Sequence, residues 1–224
     1  MSQMLDANLR KQLSQIFAAL DREVGVAFFG STEENCSYCE QTLDLLEEVT
    51  ALADKVHLKS YDINEDAKIA ERYHVDKAPG IVVGEMRGGE ILDLGVRFAG
   101  IPGGHEFTSL VRSILMVSAG DSGLSEDTRE FLRQVKSPVT FLVFVTPTCP
   151  YCPQAVVLAH QFAMENPLIE AEMVEAMEFP DLSDQYGVSG VPHTVINEGA
   201  GEIVGAVPEA QLLAKLQQVI EDEI

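Results

Sequence analysis

Apolar positions along this chain recur with two periods, and the order in which the periods follow one another is written twice. Met4, Leu5, Leu9, Leu13, Ile16, Phe17 and Leu20 fall at helical spacing, so residues 3–20 are predicted to form an amphipathic helix. Residues 24–29 are a short apolar run of buried-strand type, 30–35 a polar turn, and 37–52 a helix. Residues 56–63 alternate as a strand does, and 66–73 read as a short helix. Residues 81–83 and 91–96 make a hairpin about Arg87-Gly88-Gly89-Glu90, and a helix over 107–117 follows the loop 100–104. The small-residue cluster 118–123 sets a boundary, giving units 1–119 and 120–224. Ser125 then opens a helix to about 135. Strand 139–145, helix 151–164, strand 169–174, helix 182–186, strands 191–196 and 203–206, and helix 210–220 complete the second unit. Strand–helix alternation ending in a hairpin and a helix predicts an α/β class, each unit a central mixed sheet flanked by helices.

Particular residues repeat with the pattern. The chain's four cysteines form two pairs, Cys36-Ser37-Tyr38-Cys39 and Cys149-Pro150-Tyr151-Cys152, at an offset of 113. Tyr73-His74-Val75 recurs at the same offset as Tyr186-Gly187-Val188, and Pro79 recurs as Pro192, each proline just ahead of an apolar run. Agreement of several features at one offset marks duplication of a whole domain rather than a solenoid repeat.

Each cysteine pair follows a strand and opens a helix. The nucleophile in disulfide exchange is a thiolate, and a helix start offers unsatisfied N–H groups and a partial positive charge that stabilise one. Cys36 and Cys149 are therefore expected to be exposed attacking thiols, with Cys39 and Cys152 as the resolving thiols one turn deeper. Pro150 stiffens the second pair, whereas Ser37 leaves the first looser. A permanent disulfide across so small a loop would stabilise little. Four thiolates could hold zinc or an iron–sulfur cluster. However, almost half the chain separates the pairs and each follows its own strand, unlike the short spacing of zinc ribbons. No metal is expected, and no phosphate or dinucleotide fingerprint suggests a bound cofactor. Lys59, Glu172 and Glu175 are weaker candidates to approach a resolving thiol, and His74 and His193 flank the proline loops.

Composition narrows the partners. A net charge of −21 disfavours nucleic acid and anionic membrane. No apolar run approaches a membrane span, and the segment 1–13 lacks the apolar core of a signal peptide. Both point to a cytoplasmic protein, where paired cysteines are more often catalytic than structural. Tryptophan is absent, so a fluorescence change on reduction would come from Tyr38 or Tyr151.

Residues 141–153 and 173–176, with Gly95-Val96-Arg97-Phe98 and Gly103-Gly104-His105-Glu106-Phe107, resemble the tandem protein disulfide oxidoreductases, glutaredoxin-like proteins of thermophilic archaea and bacteria. The resemblance covers essentially the whole chain and implies two thioredoxin-fold units. It implies reduction, oxidation or isomerisation of protein disulfides, with electrons from a thioredoxin reductase-like flavoenzyme. It also implies cis peptide bonds before Pro79 and Pro192, with the backbones of Ala78 and Val191 pairing with a substrate chain. Tyr38, Pro150 and Tyr151, between the cysteines, would meet the same substrate. Two departures mark the first site: the acidic Glu33-Glu34-Asn35 before Cys36, which would oppose thiolate formation, and Gly80 after Pro79. Two other readings stay open. One is a dedicated electron relay to a peroxiredoxin, resembling the tandem-thioredoxin portion of alkyl hydroperoxide reductase flavoproteins. The other is a metal- or cluster-binding scaffold.

Overall fold

A computed structural model describes residues 4–32 and 36–222. The chain divides into two compact units. The first runs to Asp93 and adds Phe98–Ile101 and Ile114–Asp121; the second comprises Leu94–Arg97, Pro102–Ser113 and the chain from Ser122 onward.

The first unit opens with α1 (Ala7–Phe17), capped by the Asp6 carboxylate, which accepts from the Leu9 amide. β1 (Val24–Gly30), α2 (Cys39–Thr50), β2 (Val56–Asp62), α3 (Ala67–Arg72), β3 (Gly80–Arg87) and β4 (Glu90–Ala99) follow. β1 lies between parallel β2 and antiparallel β3, in the order β2-β1-β3-β4, and its residues are buried throughout. Burial on both faces explains why β1 is an unbroken apolar run rather than an alternating one. Gly88 and Gly89 turn the hairpin with positive φ. β3 runs much further than the apolar 81–83 run suggested, because its outer residues pair along the hairpin without being buried.

A short 3₁₀ turn, Gly104–Glu106, leads into α4 (Phe107–Ala119). The second unit continues with α5 (Glu126–Gln134), β5 (Val139–Val145), α6 (Cys152–Ala163), β6 (Ile169–Glu175), α7 (Pro180–Gln185), β7 (His193–Ile196), β8 (Gly201–Val204) and α8 (Glu209–Asp222). β5 pairs parallel with β6 and antiparallel with β7, giving the order β6-β5-β7-β8. Both units therefore share one thioredoxin-type plan.

The duplicated Tyr-x-Val has a backbone cause. His74 and Gly187 each take a left-handed conformation just past a short helix. Val75 then donates to the Ala70 carbonyl, and Val188 to that of Ser183, both at 2.9 Å, closing each helix end.

The duplication is not uniform. β2 and β6, which start at Val56 and Ile169, keep the offset of the cysteines, but β1 and β5, which start at Val24 and Val139, are set two positions further apart. The segment from strand end to first cysteine is thus longer by two positions in the first unit. The cysteine helices also differ. α2 buries only Thr42, Leu45, Leu46 and Val49, whereas most of α6 is buried. α2 is an amphipathic surface helix and α6 a core helix.

A Cβ on Gly84 would fall on the Leu92 carbonyl oxygen, whereas Gly88, at φ +58°, has nothing within 4 Å of a Cβ. Gly84→Ala should therefore cost about 2–3 kcal/mol. Gly88→Ala should cost about 1 kcal/mol, from its left-handed backbone alone. Urea midpoints of the two variants check the difference.

Candidate redox site

Both cysteine pairs are closed as disulfides, with Cα–Cα distances of 5.4 Å for Cys36–Cys39 and 5.5 Å for Cys149–Cys152. In each unit the helix begins at the second cysteine, not before it. The Cys152 amide, first in α6, donates to Cys149 Sγ at 3.1 Å. That is the helix-start interaction expected to favour a thiolate.

Exposure of the first cysteines was expected, and the structure corrects it. Cys149 is only 8% exposed, and Cys36 is half-buried. The Cys149 sulfur turns inward to meet the Cys152 amide, while Pro150 and Tyr151, the latter 68% exposed, face solvent. Tyr38 is exposed at the first pair. The acidic Glu33-Glu34-Asn35 lie outside the described residues.

At the first pair, the Ser31 amide donates to Cys39 Sγ at 3.3 Å, and the next amide, Thr32, donates to Asp62 at 3.0 Å. Asp62 also accepts from the Glu65 and Asn64 amides, which hold its carboxyl below the usual carboxylate range. An open cleft of about 420 Å³ lies here, lined in part by Cys39, Asp62, Tyr61 and Leu43. At the equivalent place in the second unit stands Glu175, which is buried and pushed up by desolvation. It accepts from the Glu178 amide at 2.7 Å.

The loops ahead of β3 and β7 hold the two prolines, and the Ala78–Pro79 and Val191–Pro192 bonds are cis. The Pro79 carbonyl accepts from Gly100 and the Pro192 carbonyl from Gly205. Among the described residues, no hydrogen bond engages the backbone of Ala78 or Val191. Register sets Phe29 opposite Gly80 and Phe144 opposite His193, so each proline, one residue before its strand, lies across from the end of the strand that leads to its cysteine pair. Gly80 is glycine because a Cβ there would stand 2.6 Å from Val75 Cγ1 and 2.7 Å from the Lys77 carbonyl oxygen.

A further group lies beside the second pair. The His105 amide donates to the Pro147 carbonyl at 3.0 Å, which fastens the 3₁₀ turn to the loop before Cys149. Glu106, the last residue of that turn, is 1% exposed, accepts from Ser109 Oγ at 2.5 Å, and is pushed up to about 7 by burial. On α6, His160 is fully buried and neutral, lowered to about 4 by desolvation.

The thioredoxin-domain family profile matches residues 139–218. A protein disulfide oxidoreductase of known structure from Aeropyrum pernix is 34% identical; the alignment covers 95% of this chain and 92% of that one, with a TM-score of 0.86. The chain belongs to the tandem thioredoxin-fold protein disulfide oxidoreductases. A structure of the alkyl hydroperoxide reductase protein AhpF from Enterococcus faecalis is 30% identical, with 95% and 99% covered and a TM-score of 0.83. The corresponding alkyl hydroperoxide reductase protein of Xanthomonas campestris pv. phaseoli is 29% identical over 215 residues, 95% of this chain. The chain spans 37% of that relative's length.

The cysteines, the cis-prolines and the tyrosines fall at the ends of the strands and helices anticipated for them. Lys59 does not approach a thiol: its ammonium donates to the Gly89 carbonyl at 2.6 Å, on the hairpin turn. His74 is exposed beyond a helix end, whereas His193 is buried 3.4 Å from Glu202. Sequence reasoning missed Glu106, although it stands inside the Gly103–Phe107 segment that carried part of the resemblance. A lone glutamate ahead of a helix reads as a solvated first-turn acid, and only packing shows it buried.

Glu106 ionises near 4.5 in an unfolded chain and near 7 here. Its burial thus costs stability that grows as pH rises from about 4.5 to about 7. Glu106→Gln should match the parent near pH 4 and exceed it by roughly 3 kcal/mol at pH 8. His160 acts in the opposite direction, with stability lost as pH falls from 6.5 towards about 4. Urea unfolding at several pH values checks both signs.

Proposed function

We propose that this chain catalyses thiol–disulfide exchange on protein substrates, through both cysteine pairs, in the cytoplasm. The observation that carries the reading is the Cys152 amide meeting Cys149 Sγ at the head of a helix that directly follows a buried strand. In the reducing direction the Cys149 thiolate attacks a substrate disulfide, forming a mixed disulfide and expelling one substrate thiolate. Cys152 then attacks the Cys149 sulfur and releases the second substrate thiol. The substrate gains two electrons and two protons, and the Cys149–Cys152 pair loses them. Cys36 and Cys39 take the same roles at the first pair. The unengaged backbones of Ala78 and Val191 support a short β-like contact with the substrate chain, and Tyr38, Pro150 and Tyr151 offer an exposed rim around it. Each pair works within its own duplicated stretch, 1–119 and 120–224, and the second also leans on residues 103–113.

A second reading has an observation of its own. The chain resembles part of a longer alkyl hydroperoxide reductase protein. On that reading a thioredoxin reductase-like flavoenzyme reduces the pairs, and a peroxiredoxin takes the electrons in place of general protein disulfides.

Insulin turbidity assays with dithiothreitol as reductant separate the two. Rapid precipitation is expected, with Cys149→Ser lowering the rate about tenfold or more and Cys36→Ser having the smaller effect. A parent protein inactive on insulin, yet active between a flavoprotein and a peroxiredoxin, would favour the relay.

A further inference from the structure

Residues 103–113 brace the second cysteine pair in a way that the exchange chemistry does not itself require. The loop before Cys149 is tied to the 3₁₀ turn by the bond from His105 to Pro147. Gly104 fits tightly there, since a Cβ would fall on the Pro147 carbonyl. Beyond the turn, α4 places Ser109 and Ser113 one turn apart on one face. Ser109 holds Glu106, and Ser113 Oγ lies 2.9 Å from His160 Nδ1.

The other side of the His160 ring is 3.1 Å from the Arg97 carbonyl oxygen. A carbonyl can only accept, so Nε2 carries the hydrogen. In a neutral ring Nδ1 is then an acceptor, and Ser113 donates to it. The imidazole thus bridges α4 and β4 from the middle of α6. Just over two turns of helix separate it from Cys152, about 12 Å of a stiff rod. Fixing the rod at His160 fixes where its first amide sits, and that amide is the one that reaches Cys149 Sγ. The position equivalent to His160 on α2 is Glu47, which is exposed.

We propose that His160, bridging Ser113 and the Arg97 carbonyl, is a positioning residue that sets the reactivity of Cys149 by fixing the axial position of α6. The inference rests on the reading of Cys149 as the attacking thiol. Loosening the bridge lets the Cys152 amide draw away from the sulfur, so the thiolate loses its partner and the thiol holds its proton to higher pH.

The test uses the full chain with Cys36, Cys39 and Cys152 changed to serine, so that Cys149 is its one thiol. The rate of iodoacetamide alkylation is followed against pH. His160→Leu and Ser113→Ala should raise the midpoint by about half a unit, a roughly threefold slower reaction near pH 6. His160→Asn, which keeps one acceptor and one donor, should stay near the parent. Ser113→Ala removes only a hydroxyl and decides the matter if His160→Leu does not fold. Midpoints that do not move in Ser113→Ala and His160→Leu, even with a lowered melting temperature, would assign His160 to packing and overturn the inference. An Asn variant as slow as the Leu variant would also overturn it. A parent midpoint near 8.5, the ordinary thiol value, would instead sink the reading of Cys149 and the inference with it.

Discussion

A sulfur within hydrogen-bond reach of a helix-start amide is the constraint around which the second unit is arranged. The contact at 3.1 Å between the Cys152 amide and Cys149 Sγ requires a strand that stops at Val145, a short loop, and a helix that starts at Cys152. β5 supplies the first, paired with β6 along its whole length and with β7 over Phe141–Phe144. The 3₁₀ turn fastens the loop through Pro147, and α6 is buried along most of its length, with His160 bonded to Ser113 and to the Arg97 carbonyl. Each element is ordinary, and together they deliver one donor to one sulfur.

The same plan gives the first pair different surroundings. Gly30 and Val145 occupy equivalent strand ends, in register with Asp62 and Glu175. With glycine at that end a cleft opens beside Cys39, and the carboxylate there is satisfied by backbone amides and stays charged. At the valine end, Val145 is itself buried, and the carboxylate opposite it is buried and driven towards its neutral form. Glu106 adds a second carboxyl of raised pKa at the second pair. The two pairs therefore have carboxyls of opposite character in their units, a charged one by the first and buried, raised ones by the second.

Much of the fold could be read in advance because its signals are local. Unbroken apolar runs at 24–29 and 139–145 mark central strands, and Arg87-Gly88-Gly89-Glu90 marks a hairpin by its turn chemistry. The duplicated Tyr-x-Val marks a helix end that needs a left-handed residue. What escaped the sequence depends on packing. The shared offset of the cysteines hides the different lengths of the two loops, because only the strand bounds expose it. Burial of Cys149 follows from how the sulfur turns, not from its place in a motif. Glu106 and His160 read as ordinary polar residues, and their altered protonation arises from burial that only packing reveals. Lys59 was placed on the correct strand, but its long side chain reaches the hairpin turn rather than a thiol.

The central claim is that both pairs are exchangeable couples rather than fixed crosslinks. It is tested most directly by equilibrating the full chain in dithiol–disulfide buffers of graded potential and counting thiols in each pair by alkylation and peptide mass. The account predicts two separate two-electron transitions, both at potentials between about −300 and −120 mV, where redox-active dithiols of this kind work. A pair that stays closed well below about −300 mV, as structural disulfides do, would contradict it.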